Sequence, residues 1–571
     1  MKALDYLWRS ARPFDRPPRL TQLALARLAC VVVWSLSVAT AGAQQPRFRI
    51  DDPLWADPDR VLSIPEPTER PLSKTLDLLQ KTFTMPRTGH VQAQNLNTLD
   101  EVPDSSWFTN RMSRRVMPIH ELARGPNQGD GPVMTTTWLV VGAKTQGATP
   151  GLQIEDGRGD RYFIKFDPLH WPQMATSAEI VGTKFFHAFG YHVPENYLVR
   201  WRPEYEVDTD AEVLWDSGHT DRLSRGYVDD LLEGVPVRPD GTVQVVASKL
   251  LPGRPIGPFD FQGVRSDDSN DIFSHEDRRE LRSLRIFCAW MNHNDSDSVN
   301  TLDMYYTKDE GRGYVMHHLI DFGSTLGSGA THPHARRVGN EYYIEFTPAL
   351  KSAATFGVWD RPWRHVDYVE YPSVGRFESA YFRPESWRPD YPNPAFEKMT
   401  PQDAFWATRT VMRFSNEGIR AIVATGQYDD PAAETHVADA LIERRDKIVS
   451  FYLGQINPLD GFMIDGLSPS RYVFFQNLGV EAGLSEDVEC EYHYRWSTYD
   501  NVSDTRSPLG SQARVRATVV PIPASPGAFS VLRLSSLCVG QPNWTSGIDV
   551  FLRNGTELTI VGVERLHPDP S

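Results

Sequence analysis

Between Met291 and Gly329 the chain carries two short acidic clusters 26 residues apart, and their order limits what it can fold into more than any other feature. The first is His293-Asn294-Asp295, followed five residues later by Asn300. The second is Asp321-Phe322-Gly323, at the end of the apolar run Tyr314 to Ile320. That run reads as a strand, Thr301 to Tyr306 reads as its partner, and Glu310-Gly311-Arg312-Gly313 reads as the hairpin turn between them. An acidic residue after a strand is commonly a turn cap, and Asn and Asp gather in loops anyway. Either cluster alone therefore says little, but the two in this order, joined by a hairpin, say more.

Such a pair suits phosphoryl transfer, which needs little covalent help but much positioning and charge neutralisation. Asp295 would accept or orient the attacking hydroxyl. Asn300 and Asp321 would hold metal ions bridging nucleotide phosphates, and magnesium suits because it takes one or two protein oxygens and completes its shell with phosphate. A site for phosphates would also use a cation, and the upstream half is read for one. Thr137 to Val141 reads as a strand leading into Gly142, Gly147 and Gly151; Leu152 to Ile154 returns, and Arg161 to Phe166 is a third strand bearing Lys165. Glycine amides approach phosphates closely, although this spacing is not G-x-G-x-x-G. Lys165 lies in an apolar strand, where an unpaired ammonium is costly; an edge-strand lysine with its head in water fits that one feature equally well. The next segment decides. Ala175 to Phe189 has helical periodicity with Gly190 as C-cap, and Glu179 falls 14 residues after Lys165. A favourable charge near a helix start would also explain Glu179, but not its partner lysine. Lys249, in the strand Thr242 to Leu251, competes for the phosphate role but has no glutamate-bearing helix directly after it.

Asp208 to Asp240 reads as a polar insertion. Ser274 to Trp290 reads as an amphipathic helix, with Ser274 as N-cap and a buried stripe around Leu281, Leu284, Ile286 and Phe287, running straight into the first acidic cluster. Residues 330 to 394 are too irregular to assign. Thr400 to Gly418, Ile419 to Thr425 and Ala432 to Leu453 read as helices, the last exposing Asp439, Glu443 and Arg444. From about Pro458 alternating patterns suggest a small β-sandwich. Cys490 and Cys538 fall in it and could pair, whereas Cys288 reads as a buried thiol. Near the N-terminus Arg27, the apolar run Leu28 to Ala39 and Ala41-Gly42-Ala43 read as a secretory signal cleaved after Ala43, too short to span a bilayer. Cleavage removes six basic and two acidic side chains and leaves 53 against 72, a balance that disfavours nucleic acid and anionic membranes as partners.

From about Thr135 to Leu453 the chain resembles the atypical branch of the protein-kinase-like fold, and its signal peptide and short lysine-to-glutamate spacing are similar to secreted or bacterial relatives such as the CotH-like and HipA-like kinases. The resemblance implies an α+β, two-lobed kinase-like domain followed by a small all-β, sandwich-like domain. Its divisions are a signal peptide at 1–43, an extension wrapping the small lobe at 44–130, a small lobe at 131–255, a helical large lobe at 256–455 and the β domain at 456–571. It implies an exported, Mg-ATP-dependent phosphotransferase or nucleotidyltransferase, with manganese as a substitute metal and an unidentified hydroxyl acceptor. Lys165 would contact phosphates with the loop of Gly142 and Gly147, Glu179 would orient it, Asp295 would be the catalytic carboxylate, and Asn300 and Asp321 would bind metal. Asn294 stands where the family has arginine, and no A-P-E follows. Two other readings remain open: a non-catalytic kinase-fold scaffold whose β domain engages a protein or glycan, and a hydrolase using Asp295 with Asp297, for which side chains two apart in a loop are poor evidence.

Overall fold

The structure, a computed structural model, describes residues 45–566 except 61, 72–73, 84–90, 144–150, 215–218, 309–310, 346–353, 355–360, 369–370, 468–469 and 556. The expected leader and Gly147 lie outside the described residues.

Three strands form an antiparallel meander, β1 (Trp138–Ala143), β2 (Gly151–Glu155) and β3 (Arg161–Phe166). With β4 (Asn196–Trp201), the short β5 (Tyr205–Val207) and β6 (Val243–Lys249) they make one six-stranded sheet in the order β4-β6-β3-β2-β1-β5. Only β1 and β5 run parallel. Lys165 thus stands on a central strand with neighbours on both sides, not at an edge. Alternation sends Tyr162, Ile164 and Phe166 into a core with Trp138, Leu152, Trp201 and Val245. The segment expected as a polar insertion joins this core: Val213, Leu223, Val228 and Val235 are all buried there, so its polarity belongs only to its outer surface.

Helix α2 (Met174–Phe189), which bears Glu179, crosses from the sheet to the other half of the molecule. Its aromatic ridge packs into the helical core, Phe189 stacking on Phe287 at 4.2 Å and Phe185 meeting Trp290 edge-on at 5.2 Å. That core is built on α3 (Arg279–Met291), α4 (Pro401–Met412), α5 (Asn416–Ala424) and α6 (Pro431–Leu453). Ser274 does not cap α3. The helix begins at Arg279, and Asn95, from far upstream, accepts its first amide at 2.9 Å. Nor is α3 amphipathic, because Arg279 and Arg282 are buried on Asp403, at 3.0 and 3.4 Å. Asp403 also closes the capping box of α4 with Thr400. The first expected helix of the trio breaks at Arg413 to Ser415, where Ser415 caps α5.

The hairpin between the acidic clusters is present as β7 (Thr301–Thr307) and β8 (Arg312–Leu319). Beyond α6 lie a three-stranded sheet, β9 (Leu459–Leu467), β10 (Ser470–Asn477) and β14 (Val519–Pro521), and a six-stranded one. The latter joins β11 (Cys490–Asp500), β12 (Thr505–Pro508), β13 (Ala513–Val515), β15 (Phe529–Cys538), β16 (Ile548–Arg553) and β17 (Thr559–Arg565). Leucines, valines and aromatics from both fill one core, and Cys490 and Cys538, directly opposite on β11 and β15, are disulfide-bonded. Cys288 is the buried free thiol expected of it.

The N-terminal extension touches far more than the sheet of Lys165. Arg47 and Phe48 bond to Asn501, and Phe48 packs among Tyr499, Phe529 and Phe551 of the C-terminal domain. Ile64–Pro65 adds to the outer edge of β8. Helix α1 (Lys74–Phe83) then lies against the first acidic cluster, pinned by buried Lys81 on Asp260 and by the Tyr391 hydroxyl, which donates to Asp77 at 2.7 Å.

Candidate active site

Asp167, the residue after β3, begins the site. One carboxylate oxygen accepts the amides of Ala175 and Thr176, both at 2.9 Å, and the other accepts the Thr176 hydroxyl at 2.7 Å, so it caps α2 from outside the helix. Burial outweighs these bonds and lifts its pKa to about 6. With the helix start fixed to the end of β3, Glu179 comes over the open face of the sheet. It is 2% exposed. Its Oε2 accepts from the Lys165 ammonium at 3.0 Å and its Oε1 from Asn196 on β4 at 3.1 Å. The same ammonium lies 3.0 Å from Asp321 Oδ1. Burial works against the charge of Lys165, but Asp321 and Glu179 more than offset it and hold its pKa above the ordinary lysine range.

The hairpin explains why Asp321 and Asn300 come together. Thr301 faces Leu319 in the register, and the ladder continues one step, Ile320 N–H donating to the Asn300 carbonyl at 3.0 Å. The residue before β7 therefore sits beside the residue two after β8. Asp321 takes a left-handed φ of 61°, which suits Asp better than most residues but still costs free energy. Its neighbour Phe322 is fully buried, stacked on Phe186 of α2 at 4.7 Å with His293 at 5.8 Å, so α2, the Asp321 turn and the first cluster share one aromatic contact. Close approach is required here: a Cβ on Gly182 would fall 2.8 Å from the Phe322 Cβ.

The first cluster is held from several directions. Asn292, in left-handed conformation, ends α3, and its side chain accepts from Trp387 at 2.9 Å. Arg444, expected at the surface, is 3% exposed; its guanidinium donates to the Trp290 and Ala289 carbonyls and covers the α3 C-terminus. Burial lowers its pKa to about 9. The correction has a simple cause: long-range carbonyl acceptors are invisible to helical periodicity. Buried His293 has its pKa lowered by desolvation and is neutral at pH 7. Asn294 donates to Asp390 at 2.8 Å, so the residue standing in for arginine ties the loop to the irregular stretch after Gly329. The Asn300 amide donates to the Asp295 carbonyl at 2.7 Å, which directs its own oxygen elsewhere.

Sequence reasoning missed Lys74. Its ammonium bonds to Asp295 and lies 3.3 Å from Asp297. Burial disfavours the Lys74 charge, but Asp295 and then Asp297 hold its pKa above the usual value. Burial and the neighbouring Asp295 push Asp297 well up, whereas Lys74 outweighs burial at Asp295 and holds it below the ordinary carboxylate range. Asp295 is therefore the more acidic of the two carboxyls. A signal was present in two acids two residues apart, which need a cation, though nothing in the sequence says which. The competing Lys249 pairs with Asp160 at 3.3 Å, away from this cluster. Gly142 lies in β1 against Gln153.

Among the described residues no group of three or more His, Cys, Asp or Glu side chains forms a metal cage. No helix among them is long and apolar enough to cross a membrane. Neither a scan of protein families nor a search of curated proteins finds a match. Among solved structures, the chain matches a Helicobacter pylori proinflammatory kinase, CtkA, at 12% identity and a TM-score of 0.29, over 54% of this chain and 94% of that one. A likeness at that score carries no weight, and the geometry around Lys165 stands by itself.

Proposed function

We propose that the chain is a phosphotransferase of kinase-like architecture that uses Mg-ATP and acts outside the cytoplasm on a hydroxyl acceptor. The observation that carries the reading is the Lys165 ammonium held 3.0 Å from both Glu179 and Asp321, three residues from a strand, a helix and a turn that the fold brings to one point. Lys165 meets nucleotide phosphates; Glu179, fixed by Asn196, keeps it aimed. When phosphate reaches Lys165, its contact with Asp321 is exchanged for a phosphate oxygen and the carboxylate becomes available to a cation. Asp321 and the Asn300 amide oxygen are hard, neighbouring donors that suit magnesium with the rest of its shell from phosphate. A metal held there would offset the negative charge of the nucleotide phosphates and of the transferred group. Asp295, ionised and steadied by Lys74, accepts the hydrogen bond of the attacking hydroxyl. His293, packed against Phe186 and Phe322, braces the loop.

The test is calorimetric titration of ATP with magnesium, then manganese, into the chain from Gln44 onward and into Asp321→Ala. That variant keeps the Lys165–Glu179 pair and so its fold. Metal-dependent binding lost in Asp321→Ala is the expected result. Folded protein that binds ATP with neither metal refutes the reading and leaves the non-catalytic scaffold.

A further inference from the structure

The six-stranded C-terminal sheet has one face in its domain core, through Tyr492, Leu532, Leu534, Val550 and Leu552. Its other face is divided. At one end Phe48 from the extension seals an apolar cluster with Tyr499, Val531, Phe551 and Val561. The other end is an open concavity of about 880 Å³, in the size range of small-ligand sites.

The charges in that concavity are unusual for a chain of net charge −15. Three guanidinium groups, Arg495, Arg506 and Arg533, line it together with one carboxylate, Asp549, which is fully buried. Arg533 binds Asp549 through both oxygens at 2.7 Å, and Arg506 reaches it at 2.6 Å, so the acid is used to fix two half-exposed guanidinium groups in place. Arg506 also lies 3.6 Å from Glu564 at the margin. Arg495 stands directly opposite Arg533 across β11 and β15, a like-charge placement that destabilises a sheet, and it has no carboxylate partner among the described residues. The rest of the lining is mixed, with the hydrogen-bonding side chains of Ser497, Ser535, Thr545 and Gln512 beside Tyr494, Pro508, Val531 and Leu566.

We infer that this concavity binds an acidic saccharide: its carboxylate or sulfate group takes the Arg495 fork, which no carboxylate among the described residues holds, with the outer edge of Arg533 alongside, and its hydroxyls meet the serine, threonine and glutamine side chains. Guanidinium forks fit planar oxyanions, and a lining that sets hydroxyl and amide groups beside Tyr494, Pro508 and Leu566 suits a sugar ring, which has hydroxyl edges and apolar C–H faces. The site lies in a separate domain from Lys165 and stands whether or not the chain transfers phosphate.

The test is calorimetry on the full chain with trigalacturonate, a sulfated disaccharide, neutral maltotriose and inorganic sulfate, repeated with Arg495→Gln. That residue is exposed, so its replacement leaves the fold intact, which circular dichroism verifies. Binding of either acidic saccharide, weakened about tenfold by Arg495→Gln and absent for maltotriose, is expected, and the better of the two identifies the anionic group. The inference is overturned by equal binding of maltotriose, by affinity unchanged in Arg495→Gln, or by no saccharide binding at roughly 10 mM. Sulfate ion bound as tightly as either saccharide overturns it too, reducing the concavity to an anion site.

Discussion

Replacing Lys165 and replacing Glu179 should have unequal costs, because one cation serves two anions. Lys165→Met leaves Glu179, 2% exposed, and Asp321 facing each other across an apolar side chain. Removing one partner of a buried ion pair costs about 3–5 kcal/mol, mostly for the stranded charge. Glu179→Gln leaves Lys165 on Asp321 at 3.0 Å, and the glutamine oxygen still accepts, so the loss is the difference between a charged and a neutral acceptor, about 1 kcal/mol. The double variant removes the stranded charge together with its cation, and it should be more stable than Lys165→Met alone by about 1–2 kcal/mol. Urea unfolding at pH 7, followed by tryptophan fluorescence and restricted to the transition all variants share, measures each step. If Lys165→Met is no worse than Glu179→Gln, or if the double variant shows the sum of the two losses, the three-body seat is wrong.

The same contacts set three further outcomes. Lys74→Met should cost at most about 1 kcal/mol of stability, since the ammonium is half exposed, yet slow basal ATP hydrolysis by roughly ten- to a hundredfold while calorimetric ATP affinity holds, because Asp295 loses its brace. Gly182→Ala should push Phe322 from Phe186, lowering stability by about 1–3 kcal/mol in urea titrations and weakening ATP binding through Asp321. Asp167 has a folded pKa of about 6, above its unfolded value, so protonation favours the fold: its contribution is full below about pH 4 and is lost as pH rises through 6. Wild type should therefore lose about 2 kcal/mol between pH 4 and 7 relative to Asp167→Asn, and parallel profiles of urea midpoints against pH would contradict this.

Lys165, Glu179 and Asp321 were legible because each sits at a fixed place in a strand, helix or hairpin whose periodicity is local, and the closing distances follow from those elements. Asn300 was legible through the hairpin register. Lys74, Asn95, Asp390 and Arg444 were not. Each acts on backbone or carboxylate partners more than 90 residues away, and a lysine in a surface helix or an arginine on a long one looks the same whether it faces solvent or a helix end. The Asp208 to Asp240 segment misled for a related reason: four buried apolar residues spread through a polar run make no pattern, though they complete the core of the β1–β6 sheet. Gly147 and the expected leader fall outside the described residues.

Phe48 bears on the order in which the molecule can be completed. Its pocket is walled by Phe551 and Val561, on strands far along the chain from it. Helix α2 can pack against α3 and Lys165 can reach Asp321 before that pocket exists, but the segment around Phe48 has nowhere to dock until those strands are in place. Loss of β16 and β17 would thus also release the segment around Phe48, loosening the tether upstream of Lys74 while the strand, helix and hairpin around Lys165 stay assembled.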